Sequence, residues 1–289
     1  MGESVVADFV GRVHTADVTG NEPVAGRVLL SQRRLVLATD DVRTTVPLSS
    51  VFDVAVGTVP SDLQSFFSDT VTVAYTDGDA RRTAVIEGNP EPMERFTTVL
   101  FKALLHDVTA TIRHPAKVGG RVTDVTDQRA AIKLDDGMMS FVSCPEPFSI
   151  GLSTVVDYER LQRTLDGETR PTLSVRHVPE GSPVTSLITV PSERTLNVIG
   201  RYVKLEYGEV MEDVYELDPT EEELQILVTL YTADGDVTVS DIVTGDATRA
   251  SMVLEGLWDR GLVVDGEGGP RLTPKGQMVV STYLESVNG

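Results

Sequence analysis

A phrase written twice constrains this chain more than any other feature of its sequence. Val46 to Val54 reads VPLSSVFDV and Ser149 to Tyr158 reads SIGLSTVVDY, so Leu-Ser-x-Val-x-Asp runs from Leu48 to Asp53 and again from Leu152 to Asp157. Three more pairs keep the same order: GRVLL from Gly26 with GRVTD from Gly120, TVTVAYTDGD from Thr70 with TLSVRHVPEG from Thr172, and ERFTTVLFKAL from Glu94 with ERTLNVIGRYV from Glu193. The small drift in spacing is what loop insertions and deletions between equivalent strands produce. Two tandem copies of one unit follow, each about 100 residues, an ordinary domain size.

Each copy has one internal grammar. RRLVLAT, TTVPLS, VFDVAV, TVTVAYT and RRTAVIE are short runs rich in β-branched residues, separated by turn signals such as Asp40-Asp41 and Asp77-Gly78. They predict antiparallel strands. Alternation in TVTVAYT puts Val71, Val73 and Tyr75 on a buried face and the threonines on the other. The period then changes: beyond Pro92, which can open a helix, Phe96, Val99, Leu100 and Leu104 recur at helical spacing, as do Leu196, Ile199 and Val203 after Pro191 and Ser192. Several strands closed by one amphipathic helix resemble the pleckstrin-homology-like (PH-like) fold.

The last third is different in kind. GEVMEDVYELDPT, from Gly208 to Thr220, reads as an acidic linker. Beyond it come a helix carrying Leu224, Leu227, Leu230 and Tyr231 on one face, a short ValSerAspIleVal element, a long helix from Asp246 to Gly261, two short strands around a Gly-rich turn, and a helix from Pro274. That is winged-helix order. The expected class is α+β: PH-like β-sandwich domains over residues 1–108 and 109–208, a linker over 209–218 and a winged-helix domain over 219–289.

A winged helix raises the possibility of DNA binding, and charge weighs against it. Residues 219–289 carry 12 acids and four bases, a net charge of −8. The long helix turns Thr248, Met252, Glu255 and Asp259 away from its apolar face of Ala250, Val253, Leu254 and Leu257, with Trp258 at the edge. DNA affinity needs Lys and Arg against phosphates, so protein contact is favoured over nucleic acid. The whole chain has 44 acids against 25 bases, of which only five are lysines. Surplus surface carboxylate suits a halophilic protein, keeping it soluble where salt cuts the Debye length to ~3 Å at 1 M. Lipid recognition through Arg33 and Arg34 would need more clustered bases than the chain shows.

No catalytic constellation emerges. His14, His106, His114 and His177 share no metal-ligand spacing, and His177 alternates with Val175 and Leu173 as a packed or surface residue. Cys144 has no adjacent histidine and reads as a buried small residue, while Glu221-Glu222-Glu223 suits the first turn of a helix. No enzyme activity and no cofactor or metal are expected. The N-terminal MGESVVADF has no secretory pattern and no apolar run is long enough to span a bilayer, so a cytoplasmic protein without membrane insertion is expected.

Taken together, the tandem repeats with LeuValLeuAlaThr and ValProLeuSerSerValPheAspVal, the AspProThrGluGluGlu entry to the last unit and the GlyLeuTrpAspArgGlyLeuVal run resemble the archaeal taxis protein CheF family. The resemblance implies a haloarchaeal chemotaxis adaptor. Such a protein would join the response regulator CheY, preferentially phosphorylated, to switch accessory proteins of the archaellum motor, and could meet other Che proteins. The residues proposed for partner contact are Met252, Glu255 and Asp259, with Arg33 and Arg34 as a second patch. A winged-helix transcription regulator is the alternative.

Overall fold

The computed structural model describes residues 4–18, 22–58, 70–135, 137–179, 183–232, 247–266 and 269–288. The first copy forms β1 (Val5–Thr15), β2 (Val24–Ser31), β3 (Arg34–Ala38), β4 (Arg43–Pro47), a 3-10 turn (Leu48–Ser50), β5 (Val51–Val56), β6 (Val71–Asp77), β7 (Ala80–Glu87) and helix α1 (Pro90–Leu104). The second forms β8 (Thr109–Val118), a short β9 (Arg121–Val122), β10 (Gln128–Asp135), β11 (Met138–Val142), β12 (Phe148–Gly151), a 3-10 turn (Leu152–Thr154), β13 (Val155–Leu165), β14 (Glu168–His177), β15 (Val184–Thr189) and helix α2 (Glu193–Tyr215).

The repeat is visible in the topology. One sheet has the order β4-β3-β2-β1-β7-β6-β5 and the other β12-β11-β10-β8-β15-β14-β13, with β9 paired to β8. Element for element these are the same path, wholly antiparallel in its pairings. The repeated phrase supplies the same corner twice: a strand end, a 3-10 turn and a bulged strand start, with the register shift between Val51 and Asp53 in one and between Val155 and Asp157 in the other. A bulge adds a residue on one strand and sharpens local twist, which is why both corners need the same phrase.

One sequence pairing is corrected. Gly26 stands opposite Gly11 in β2, whereas Gly120 lies in the turn before β9; the residue opposite Ala110 in the second sheet is Ala130. The two Gly-Arg-Val strings are alike in sequence but not in position. Gly11 has its own reason: a Cβ there would lie 2.3 Å from the Glu87 carbonyl oxygen, where β1 passes from pairing with β2 to pairing with β7. The threonine face of β6 is corrected too. Val71, Val73 and Tyr75 are buried as expected, but so are Thr70 and Thr72, whose hydroxyls donate to the Thr58 carbonyl at 3.3 Å. A segment that caps both hydroxyls can lie on that face without leaving them unsatisfied.

Helix α1 starts at Pro90, two residues before Pro92, and buries Met93, Phe96, Leu100 and Phe101. Helix α2 starts where expected, with the Ser192 hydroxyl accepting from the Thr195 N–H at 3.2 Å, but it does not stop at residue 208. It runs on to Tyr215, so most of the expected linker is helix. The cause is the apolar pair Met211 and Val214, which continues the buried face one turn apart, while the acids around it point to solvent.

Helix α2 also joins the copies. It packs on β5 of the first sheet, where Arg194 donates to the carbonyls of Leu48 and Val51, and Arg201 holds Asp53 with bonds of 2.9 and 2.8 Å. Phe101 of α1 meets Tyr202 of α2 at 5.3 Å between centroids, and one continuous core runs through both sheets. Burying each such aromatic side chain contributes about 1.5–3 kcal/mol.

The remaining elements are α3 (Glu221–Thr232), α4 (Ala247–Asp259), a hairpin of β16 (Val263–Gly266) and β17 (Gly269–Leu272), and α5 (Pro274–Asn288). The expected ValSerAspIleVal element lies outside the described residues. A second core gathers Leu227, Leu230, Leu254, Leu257, Leu262 and Val280 with Val156 and Val178 of the second sheet and Met211 and Val214 of α2. The helical unit is therefore seated on the second copy. Among the described residues no helix is long and apolar enough to cross a membrane.

Candidate functional site

The outward face of α4 is set by helical period: Leu254 and Leu257 are buried, so Met252, Glu255 and Asp259 project outward, Met252 with 68% of its surface exposed. The bases nearby are engaged within the protein. Arg249 binds Glu222, Arg260 donates to Glu223 at 2.7 Å, and Lys275 lies 3.6 Å from Asp213. Glu223 also closes a capping box, accepting from the Thr220 N–H at 2.7 Å while the Thr220 hydroxyl accepts from the Glu223 N–H. Desolvation works to raise its pKa, yet these hydrogen bonds and Arg260 outweigh it and the pKa is lowered. Two of the three consecutive glutamates thus fasten α4 to α3, and phosphate contact by Arg249 or Arg260 would have to break those pairs.

Arg33 and Arg34 are exposed in the β2–β3 turn, which Ser31 ties down through the Arg34 N–H at 3.2 Å. The Arg33 carbonyl accepts from the Leu48 N–H at 2.8 Å, placing this turn beside the corner that α2 grips. The two patches sit on different bodies, the helical unit and the first sheet.

Of the four histidines the fold brings two together. The His114 ring stacks on Phe148 at 3.7 Å and lies 5.7 Å from His177, and the Ser186 hydroxyl bonds both, at 2.8 Å to His114 Nδ1 and 3.2 Å to His177 Nε2. Burial lowers both pKa values, and with His114 beside it His177 falls to about 4. Both rings are neutral at neutral pH and serve packing. Cys144 is half-buried rather than buried.

A third feature leaves no local pattern in the sequence. Between β13, β14, α2 and α5 lies an open cleft of about 450 Å³ whose walls carry Arg176, Lys204, Tyr158 and Tyr207, with Ser281 and Thr282 from α5. Arg176 reaches the Tyr231 hydroxyl at 3.3 Å and lies over that ring, so α3 fixes its direction. Burial raises the Tyr158 pKa, keeping its hydroxyl a donor. These residues stand far apart along the chain with no spacing that links them. The available signal was a lysine among arginines on α2, one of only five in the chain.

Comparison with known proteins shows the family. The family described as Archaeal Chemotaxis signal transduction system protein F matches residues 5–209. Taxis protein CheF2 of Halobacterium salinarum is 40% identical over 288 residues, covering 100% of both chains. Taxis protein CheF1 of the same organism is 26% identical over 233 residues, covering 80% of this chain and 78% of the relative.

Proposed function

Because the chain belongs to the archaeal chemotaxis signal transduction protein F family, with a role in chemotaxis signalling, we propose that it is a cytoplasmic adaptor that carries the state of the response regulator CheY to the switch of the archaellum motor. What supports this most is that two antiparallel sheets of one topology share a core with α2, while the helical unit packs on α2 and the second sheet; we read these as two PH-like domains and a winged-helix domain. A relay needs separate surfaces held in fixed relation. Residues 1–108 and 109–208 serve as the two sheet domains and residues from 219 as the third, with α2 running through the former linker span. Met252, Glu255 and Asp259 form one contact face and Arg33 with Arg34 another. The engaged arginines of the helical unit give no support to a DNA-binding reading.

Reading phosphorylation requires only that the two CheY surfaces differ in affinity, each ~1.4 kcal/mol being tenfold. Calorimetric titration with CheY in multimolar KCl, with and without a phosphate mimic, should show tighter binding with the mimic. No binding in either state, with both proteins folded, would remove the CheY link.

A further inference from the structure

The cleft beside α2 is unusual for its chemistry within this protein. The chain carries a net charge of −19, yet hydrogen-bond donors converge here: the Arg176 guanidinium, the Lys204 ammonium, and the hydroxyls of Tyr158, Tyr207, Ser281 and Thr282. One carboxylate, Asp157, faces them. Lys204 is exposed and forms no ion pair among the described residues. It also lines a smaller cavity of about 240 Å³ on the other side of α2, where Arg201 stands near it. Lys204 is therefore reachable from both cavities.

The first sheet shows what fills an equivalent corner. There α2 lies against β5 and its arginines close the site on Asp53 and two carbonyls. At the second corner α5 takes the position against β13, but it presents Ser281 and Thr282 instead of arginines. Short side chains leave the space open, with Arg176 and Lys204 on its walls. Its volume falls within the ordinary range for a binding cavity.

We propose that this cleft seats an acidic segment of a protein partner. An acidic segment is repelled by most of this surface and attracted here, which gives register and selectivity more than raw affinity. Salt screens a pair that docking half-buries less than an exposed one, which favours the contact in concentrated salt. The assignment rests on the adaptor reading, because it supposes that the chain docks a protein.

The test uses the full chain and the same CheY and motor switch proteins. Lys204→Glu, at an exposed position, should weaken binding of one of them about tenfold or more, and Thr282→Glu on the facing wall should do the same. Lys133→Glu, an equal charge change at an exposed site on β10, should stay within about twofold. Near-identical affinities for all three variants and wild type would overturn the cleft assignment and leave the adaptor standing. Absence of binding by the wild type would remove the adaptor reading and the cleft assignment with it.

Discussion

In the first sheet Asp53 of the repeated phrase is clasped by Arg201 with bonds of 2.8 and 2.9 Å, whereas its counterpart Asp157 faces an open cleft with Arg176 across the strand pair. The interiors differ in the same manner. Register places Tyr75, Ala84 and Thr15 in the first sheet where the second has His177, Ser186 and His114. One strand path thus carries two chemistries. The first copy is closed by its neighbour's helix, and the second keeps polar groups within it and at its corner.

The largest expected effect breaks the comparison at its shared core. Phe101 is fully buried and touches Tyr202 of the other copy, so Phe101→Ala should cost about 3–5 kcal/mol and lower the denaturation midpoint of both sheets together. Denaturant titration followed by separate probes in each sheet checks this; two separated transitions would show that the core does not couple them.

Next comes the chemistry that only the second sheet holds. Burial, with His114 beside it, holds the folded His177 pKa at about 4, below the ordinary imidazole value of 6.5, so the unfolded chain binds the proton first. Its contribution, about 3 kcal/mol, is fully present above about pH 6.5 and is lost as pH falls toward 4. The neighbouring His114, also lowered, acts in the same direction. His177→Gln should flatten stability against pH over that window in thermal melts, and an unchanged slope would show that other groups carry it.

A smaller effect tests how alike the two strand crossings are. Gly11→Ala places a Cβ 2.3 Å from the Glu87 carbonyl oxygen and should cost about 1–3 kcal/mol, although Ala110 already stands at the matching place in the second sheet. A neutral result in a chemical melt would mean the two crossings relax to one geometry. Smallest of all is the corner itself. Arg201→Ala should cost about 1 kcal/mol because the pair is bidentate but partly exposed, while Asp157→Asn should change stability by less than about 0.5 kcal/mol. Equal costs measured by urea titration would erase the distinction drawn between the corners.

Much of this architecture was legible because local physics dictated it. Alternation and turn residues marked β3 to β7, and helical spacing marked α1 and the first half of α2. Strand β1 was not marked, because none of its first eight residues is fully buried and it reads VVADFVGRV without clean alternation. Acidity hid the end of α2, where two buried residues, Met211 and Val214, decide the structure against several solvated acids. The exposure of Met252, Glu255, Asp259, Arg33 and Arg34 followed from period and turn chemistry. The cleft did not, since Arg176, Lys204 and Thr282 meet only when β14, α2 and α5 converge, and nothing local encodes a convergence.

An adaptor must hold two partners on one molecule at once. Light scattering behind size-exclusion chromatography, in multimolar KCl with phosphomimetic CheY and the motor switch proteins, reads that directly. A single species with the mass of all three components is expected. Two binary complexes that displace one another, with no ternary mass at any ratio, would contradict it.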